Sequence, residues 1–258
     1  MPIATISSRR LYQQVADQLL TLIDSGEFAV GTRLPTEREL AVKLGVSRPT
    51  VREALIALEV HGRVRIRVGS GIYVLPKASV AALPTPVTQT IGTFAVLDAR
   101  ALIEGAIAEQ AAVKATAADI AALDAILAAV DPTFGSIPNM LALDRQFHVT
   151  VAETLDNDAI MYVVGELFDQ RMTPYFAQLA SYFENRVTWR TAWDEHRAVR
   201  DAIAAGDGLG ARNAMCNHLA RSKQRFTLAF TPIAEQAHPL TAPERSLTPR
   251  QLVAGPSL

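Results

Sequence analysis

Residues 31–74 read GTRLPTERELAVKLGVSRPTVREALIALEVHGRVRIRVGSGIYV, and this stretch decides the fold of the first part of the chain. Thr36 is followed three residues later by Glu39, the spacing of a capping box, so a helix starts there and runs to Leu44. Gly45 supplies the tight turn after it. Ser47 caps the next helix, and Pro49 falls in its first turn, where a missing N–H costs little. That helix continues to about His61-Gly62. From Arg63 the period changes from helical to alternating: Val64, Ile66 and Val68 point one way, and Arg63, Arg65 and Arg67 the other. Gly69-Ser70-Gly71 then makes a turn, and Ile72–Leu75 returns as a second strand.

Upstream, Leu11, Val15, Leu19, Leu22 and Ile23 form one stripe at helical spacing and predict a helix from Leu11 to about Ser25. Three helices followed by a hairpin is the order of a winged helix-turn-helix, assigned to residues 1–77. Downstream, Pro76, Pro84 and Pro86 stand among small residues, and 78–92 reads as a linker. Residues 93–231 are helical in pattern throughout, with helices expected near 93–114, 117–130, 138–155, 158–183, 188–206 and 208–230. Pro174 should kink or split the fourth of these. The tail, 232–258, has several prolines and no periodicity and is expected to be disordered. The fold class is therefore mostly α, a winged helix-turn-helix joined to an all-α bundle.

Composition bounds the function. The chain of 258 residues is 49% hydrophobic and 20% charged, ample for two packed cores. No run of eighteen apolar residues predicts a membrane span, and the N-terminus lacks the apolar stretch of a signal peptide. Cys216 is the single cysteine, which excludes an intrachain disulfide framework and suits a reducing cytoplasm. Residues 1–78 carry eleven Lys and Arg against seven Asp and Glu, while the remainder carries fourteen against nineteen. A basic head on an acidic body fits a DNA-binding module fused to a different one.

A helix-turn-helix lays its second helix in the major groove, N-terminal end first. Here that helix begins at Ser47. Val51, Ala54, Leu55 and Leu58 form its buried stripe; Arg48 and Arg52, four apart, are expected to share an exposed face away from it. An arginine there can grip a guanine edge bidentately. Thr50 suits a phosphate or a thymine methyl, and Arg38 a phosphate of the backbone. Gly69 at the wing tip carries no side chain and would let the backbone approach a minor groove.

Residues 31–74 resemble the DNA-binding domain of the GntR family. That resemblance implies DNA contacts at Arg38, Arg48, Thr50, Arg52 and Gly69. The opening RRLYQQVADQL, together with LEVHGRVRIRVGSGIYV, is similar to regulators of hexuronate and other sugar-acid catabolism.

Three of the five histidines lie on predicted helices of the second part. Asp144 and His148 are four apart and project from one face; His196 and His218 follow on later helices. One carboxylate and three imidazoles suit a divalent transition metal, zinc first, with nickel, manganese or iron as alternatives. Their order resembles the ligand set of the FCD effector domain of the FadR subfamily, an all-helical bundle. LDARALIEGAIAEQAA resembles that domain's first helix, and DRQFHVTVAETLDN its metal-ligand helix. The resemblance implies that Arg100 lines the effector cavity and pairs with a carboxylate. The competing reading of Arg100 is a surface salt bridge with Glu104, one turn away.

Three function classes are open on these residues. One is a DNA-binding regulator, a repressor, that binds a palindromic operator as a homodimer and is released by a small carboxylate effector. Another is a metal sensor in which the ion is the signal. The third, a metal-dependent hydrolase with a DNA-binding head, lacks a residue placed as general base, so no enzyme is expected.

Overall fold

The computed structural model of the chain describes residues 10–77, 91–130, 137–182 and 184–228. The linker reading over 78–90 and the disordered-tail reading over 232–258 lie outside them. The first unit holds α1 (Leu11–Asp24), α2 (Glu37–Leu44), α3 (Arg48–Val60), β1 (Val64–Arg67) and β2 (Gly71–Val74). Both capping signals act as the sequence predicts. The Glu39 amide donates to Thr36 Oγ1 at 3.3 Å and the Thr36 amide to Glu39 Oε2 at 2.7 Å; the Thr50 amide donates to Ser47 Oγ at 3.3 Å. These bonds satisfy donors that a helix start leaves without partners.

The core of this unit is Val15, Leu19 and Ile23 from α1 packed on Val51, Leu55 and Leu58 of α3. Leu11, expected on the α1 stripe, is exposed instead; Tyr12 takes its place, one position round the helix. The hairpin pairs Val64 with Val74 and Ile66 with Ile72. Pairing ends at Arg67, so Val68 leaves the strand and is exposed in the turn. Leu34 donates to the Ile72 carbonyl at 2.8 Å, which ties the segment before α2 to the wing.

The second unit is all helix: α4 (Thr93–Lys114), α5 (Ala117–Ala128), α6 (Ile137–Glu153), α7 (Asp158–Asp169), α8 (Pro174–Ala180), α9 (Arg186–Ala204) and α10 (Gly208–Leu228). A 3-10 turn, Gln170–Met172, separates α7 from α8. This is the split expected from Pro174, which sits at the first position of α8, where its fixed φ helps and its missing N–H is harmless. α4 and α10 pack closely at Gly105: a Cβ there would lie 2.6 Å from Cys216 Sγ. Where α4 packs on α6, Glu104 lies beside His148. No helix among the described residues is long and apolar enough to cross a membrane.

The two units meet where α3 packs on α8. Tyr175 Oη donates to the Glu53 carbonyl at 3.2 Å, and the Phe94 amide donates to Glu53 Oε1 at 3.1 Å. Glu59 accepts from Gln178 Nε2 at 3.3 Å and from Tyr182 Oη, and also from the Ile66 amide at 2.8 Å. The end of α3 and the first strand of the wing are thus held by the same carboxylate that reaches α8.

Candidate functional site

Two sites stand out. The first is a cleft of about 590 Å³ between α2, α3 and the wing, with Arg33, Arg38, Lys43, Arg48 and Arg67 on its walls and Gly69 at its rim. Arg38 is exposed, Arg48 is 39% exposed at its side chain, and Thr50 is half-buried with its hydroxyl 2.8 Å from Ser47 Oγ. Gly69 has φ +74°, a left-handed conformation that a side chain would strain, and open space around it. Arg52 departs from expectation. It is 1% exposed rather than sharing the outward face of Arg48, because Glu37 of α2 draws it inward. Its Nε and Nη2 donate to the two Glu37 oxygens, both at 2.7 Å, and Arg48 Nε lies 3.9 Å from the same carboxylate. Arg52 therefore forms the floor of the cleft, not its lip.

The second site lies in the bundle. Asp144 and His148 project from one face of α6, His196 comes from α9 and His218 from α10; one ligand atom of each lies within 4.8 Å of all the others. All four are buried. His196 Nε2 is 3.3 Å from His148 Nε2 and 3.2 Å from His218 Nε2, while Asp144 Oδ1 is 3.5 Å from His148 Nε2 and 3.3 Å from His196 Nε2. Zinc with ligands at about 2.0–2.1 Å spaces tetrahedral donor atoms about 3.3 Å apart, so these separations suit an ion at their centre.

Chemistry at the edges of the cluster supports the same fit. His148 Nδ1 lies 2.5 Å from Glu104 Oε2, and His218 Nδ1 lies 2.8 Å from Glu195 Oε2. At His218 the hydrogen bond from Nδ1 to Glu195 leaves the Nε2 lone pair facing the cluster, the arrangement that orients metal-binding imidazoles. Asp144 Oδ1 is buried with no hydrogen-bond partner among the described residues. Burial, with the neighbouring histidines, holds His196 and His218 well below the usual imidazole pKa, hence neutral and able to donate lone pairs. Burial would raise Asp144, but the Arg171 guanidinium and the adjacent histidines outweigh it and keep the carboxyl well below its ordinary range. Glu104 behaves alike: burial opposes ionisation, yet Arg100 and His148 lower it to about 2.

Arg100 lies neither at the surface nor free. It is 1% exposed, with Nε 2.6 Å from Glu104 Oε1 and its guanidinium 4.7 Å from the Phe168 ring centroid. The salt bridge with Glu104 exists, but buried, so the surface version of that reading is corrected. A cavity of about 20 Å³, room for about one water molecule, adjoins the cluster at Asp144 and His218, with Arg171, Glu184, Trp189, Ser222 and Arg225 also on its wall; Arg100 is not among its lining residues.

Sequence reasoning missed Glu104 as a partner of His148, and missed Glu195, Arg171 and Arg225 altogether. Glu104 carried a signal, being one turn from Arg100 on the same face. Glu195 adjoins His196 in sequence, yet it serves His218, a pairing that only the packing of α9 on α10 creates.

Comparison with known proteins settles the family. Residues 11–74 match the profile of bacterial regulatory proteins of the gntR family, and residues 95–221 match the FCD domain. This chain belongs to the GntR family. It is similar to the Exu regulon transcriptional regulator of Escherichia coli K12, 39% identical over 83% of this chain and 84% of that protein. The Uxu operon transcriptional regulator of the same organism is 35% identical over 85% and 88%. The Uxu operon regulator of Haemophilus influenzae is 34% identical over 84% and 82%. A GntR regulator with an FCD domain is a DNA-binding transcription regulator and not an enzyme, which removes the hydrolase class. The buried Asp and His cluster gives this one the capacity for a divalent metal ion.

Proposed function

We propose that this regulator holds a zinc ion at Asp144, His148, His196 and His218 and uses it to bind a small organic acid, a hexuronate or related sugar acid, that releases a palindromic operator from a dimer. The observation that carries this reading is the cluster itself. Four donors converge, and two of them, Asp144 and His218, line a small cavity whose wall also bears Arg171 and Arg225. When bound, the metal would supply Lewis acidity for the carboxylate and hydroxyl oxygens of the acid. The chain supplies charge and shape: arginines for the carboxylate, and Ser222 and Thr188 for hydroxyls. Trp189 Nε1 and Arg171 Nε are buried donors without hydrogen-bond partners among the described residues, both on cavity-lining residues. An oxygen-rich anion is the kind of ligand that such donors favour. Similarity to proteins named as Exu and Uxu regulators supports the sugar-acid class.

A metal-sensing regulator would use the same four ligands, and the two readings part on affinity: a resident ion stays bound through dialysis while the acid releases operator. In the cleft, Arg48 would read base edges in the major groove, with Arg38 and Thr50 on phosphates and Gly69 at the minor groove. Arg52 would act from beneath, through Glu37 and Arg48. A dimer follows from the palindrome, since two-fold symmetry in the operator calls for two heads.

A thermal-shift screen of the zinc-replete protein against hexuronates, aldonates and short hydroxy acids tests the ligand class. A binding acid raises Tm with concentration; a flat response to every sugar acid would remove that class.

A further inference from the structure

Arg171 does more than keep the ligand carboxylate Asp144 ionised: it also reaches a second carboxylate beyond the far end of α8. It sits in the 3-10 turn just before α8, with its side chain 9% exposed. Nη1 donates to Asp144 Oδ2 at the cluster, and Nη2 donates to Glu184 Oε1 at 2.7 Å. Glu184 stands just beyond the other end of α8, and its amide bonds the Ala180 carbonyl, the last residue of that helix, at 2.8 Å. The guanidinium also packs 5.6 Å from the ring centroid of Phe176, within α8, and 5.8 Å from Trp189. One side chain therefore closes a bracket across α8 from end to end. The opposite face of α8 grips α3: Tyr175 bonds the Glu53 carbonyl, and Gln178, with Tyr182 just past the helix, bonds Glu59. Glu59 in turn holds the Ile66 amide of the wing.

We propose that Arg171 couples the metal cluster to the DNA-binding unit: its clasp on Asp144 and Glu184 fixes the helix that grips α3, and an acid anion entering the cavity competes for the same guanidinium. The ligand part of this proposal rests on the acid-binding reading above; the mechanical part does not. An anion that takes Arg171 removes the cation from Glu184, opens the bracket and frees α8 to shift under Glu53 and Glu59. The shift reaches α3 and β1 together, because one carboxylate serves both. A ligand moves an equilibrium only by its differential affinity for two arrangements. Here the differential contact is a guanidinium shared between protein carboxylates in one arrangement and ligand in the other. The unpartnered Nε, buried on a residue that lines the cavity, is the donor available to start the exchange.

The test uses the full-length, zinc-replete protein and its Arg171→Gln and Glu184→Gln variants, with D-galacturonate and D-glucuronate as probes. Zinc per chain, hydrogen exchange in peptides covering 174–184 and 53–60, and operator affinity are read on each. In wild type, either acid should accelerate exchange in both peptides and weaken operator binding about fivefold or more. Compared at saturating zinc, with occupancy read on the same sample, Arg171→Gln should exchange both peptides about tenfold faster than wild type without any acid, and respond to acid less than about twofold. Glu184→Gln, which opens one side of the bracket, should fall between, and it decides the matter alone if Arg171→Gln fails to fold. Unchanged exchange in α8 in the folded variants, or a full acid response in Arg171→Gln, would overturn the proposal. If neither acid affects wild type while Arg171→Gln still loosens both peptides, the sugar-acid reading fails and the coupling through Arg171 stands.

Discussion

Arg52 of α3 and Glu37 of α2 form a buried, bidentate ion pair, with both N–O distances at 2.7 Å, beneath the cleft between α2, α3 and the wing. Breaking a buried pair from one side leaves an uncompensated charge, at a cost of about 3–5 kcal/mol. Arg52→Ala or Glu37→Ala should therefore lower the Tm of the DNA-binding unit, and operator affinity should fall with it. Arg48→Ala should leave Tm within a degree or two and reduce discrimination between operator and mismatched sites, by about 1–3 kcal/mol per base pair read. Thermal melts run beside binding to a set of operator variants separate the two roles. Unchanged sequence preference in Arg48→Ala would count against base reading.

The metal assignment is checked by elemental analysis. His196→Ala combined with His218→Ala should abolish bound zinc, and full occupancy would refute the ligand set. Glu195→Gln and Glu104→Gln keep all four ligands but lose the carboxylates behind His218 and His148. Each should weaken metal affinity about 10–100-fold, measured by competition with a chelator.

Arg100→Ala distinguishes contact with the acid from support of Glu104. If Arg100 must leave Glu104 to meet the effector, the variant keeps its zinc affinity and needs more acid to release operator. If it serves only to hold Glu104 against His148, metal affinity falls and, at saturating zinc, the acid response returns to normal.

Glu53 at the junction of the two units gives a pH prediction. Its carboxyl is raised above the ordinary 4.5, chiefly by burial, with the Phe94 amide opposing. An acid whose folded pKa is raised makes the folded state less stable when ionised, and the loss is relieved as pH falls through the raised value. Glu53→Gln should accordingly be more stable than wild type at pH 7. The gap should close as pH falls through that raised value towards 4.5, folded wild-type Glu53 having taken up its proton on the way. Chemical denaturation at both pH values reads this; a gap that widens on acidification would contradict it.

Much of the fold was legible because its signals are local. Thr36 with Glu39, Ser47 with Pro49 and Pro174 each act within one turn of themselves, so their helix starts fall where the residues say. The pair Asp144 and His148 was legible for the same reason, four residues setting one face. Arg52 was misplaced because its partner lies fifteen residues away on another helix, and helical spacing alone cannot tell an outward face from one that meets a carboxylate. Arg171 and Glu184 were invisible for a related cause: their role comes from spanning α8, and no periodic pattern marks two residues outside a helix that meet across it.

The most direct measurement is operator binding by fluorescence anisotropy with full-length, zinc-replete protein, titrated with D-galacturonate and D-glucuronate and repeated after chelation of the metal. The account predicts that at least one acid releases operator, with affinity falling about fivefold or more, and that chelation abolishes the acid's effect. Operator binding indifferent to both acids, or an acid response that survives metal removal, would contradict it.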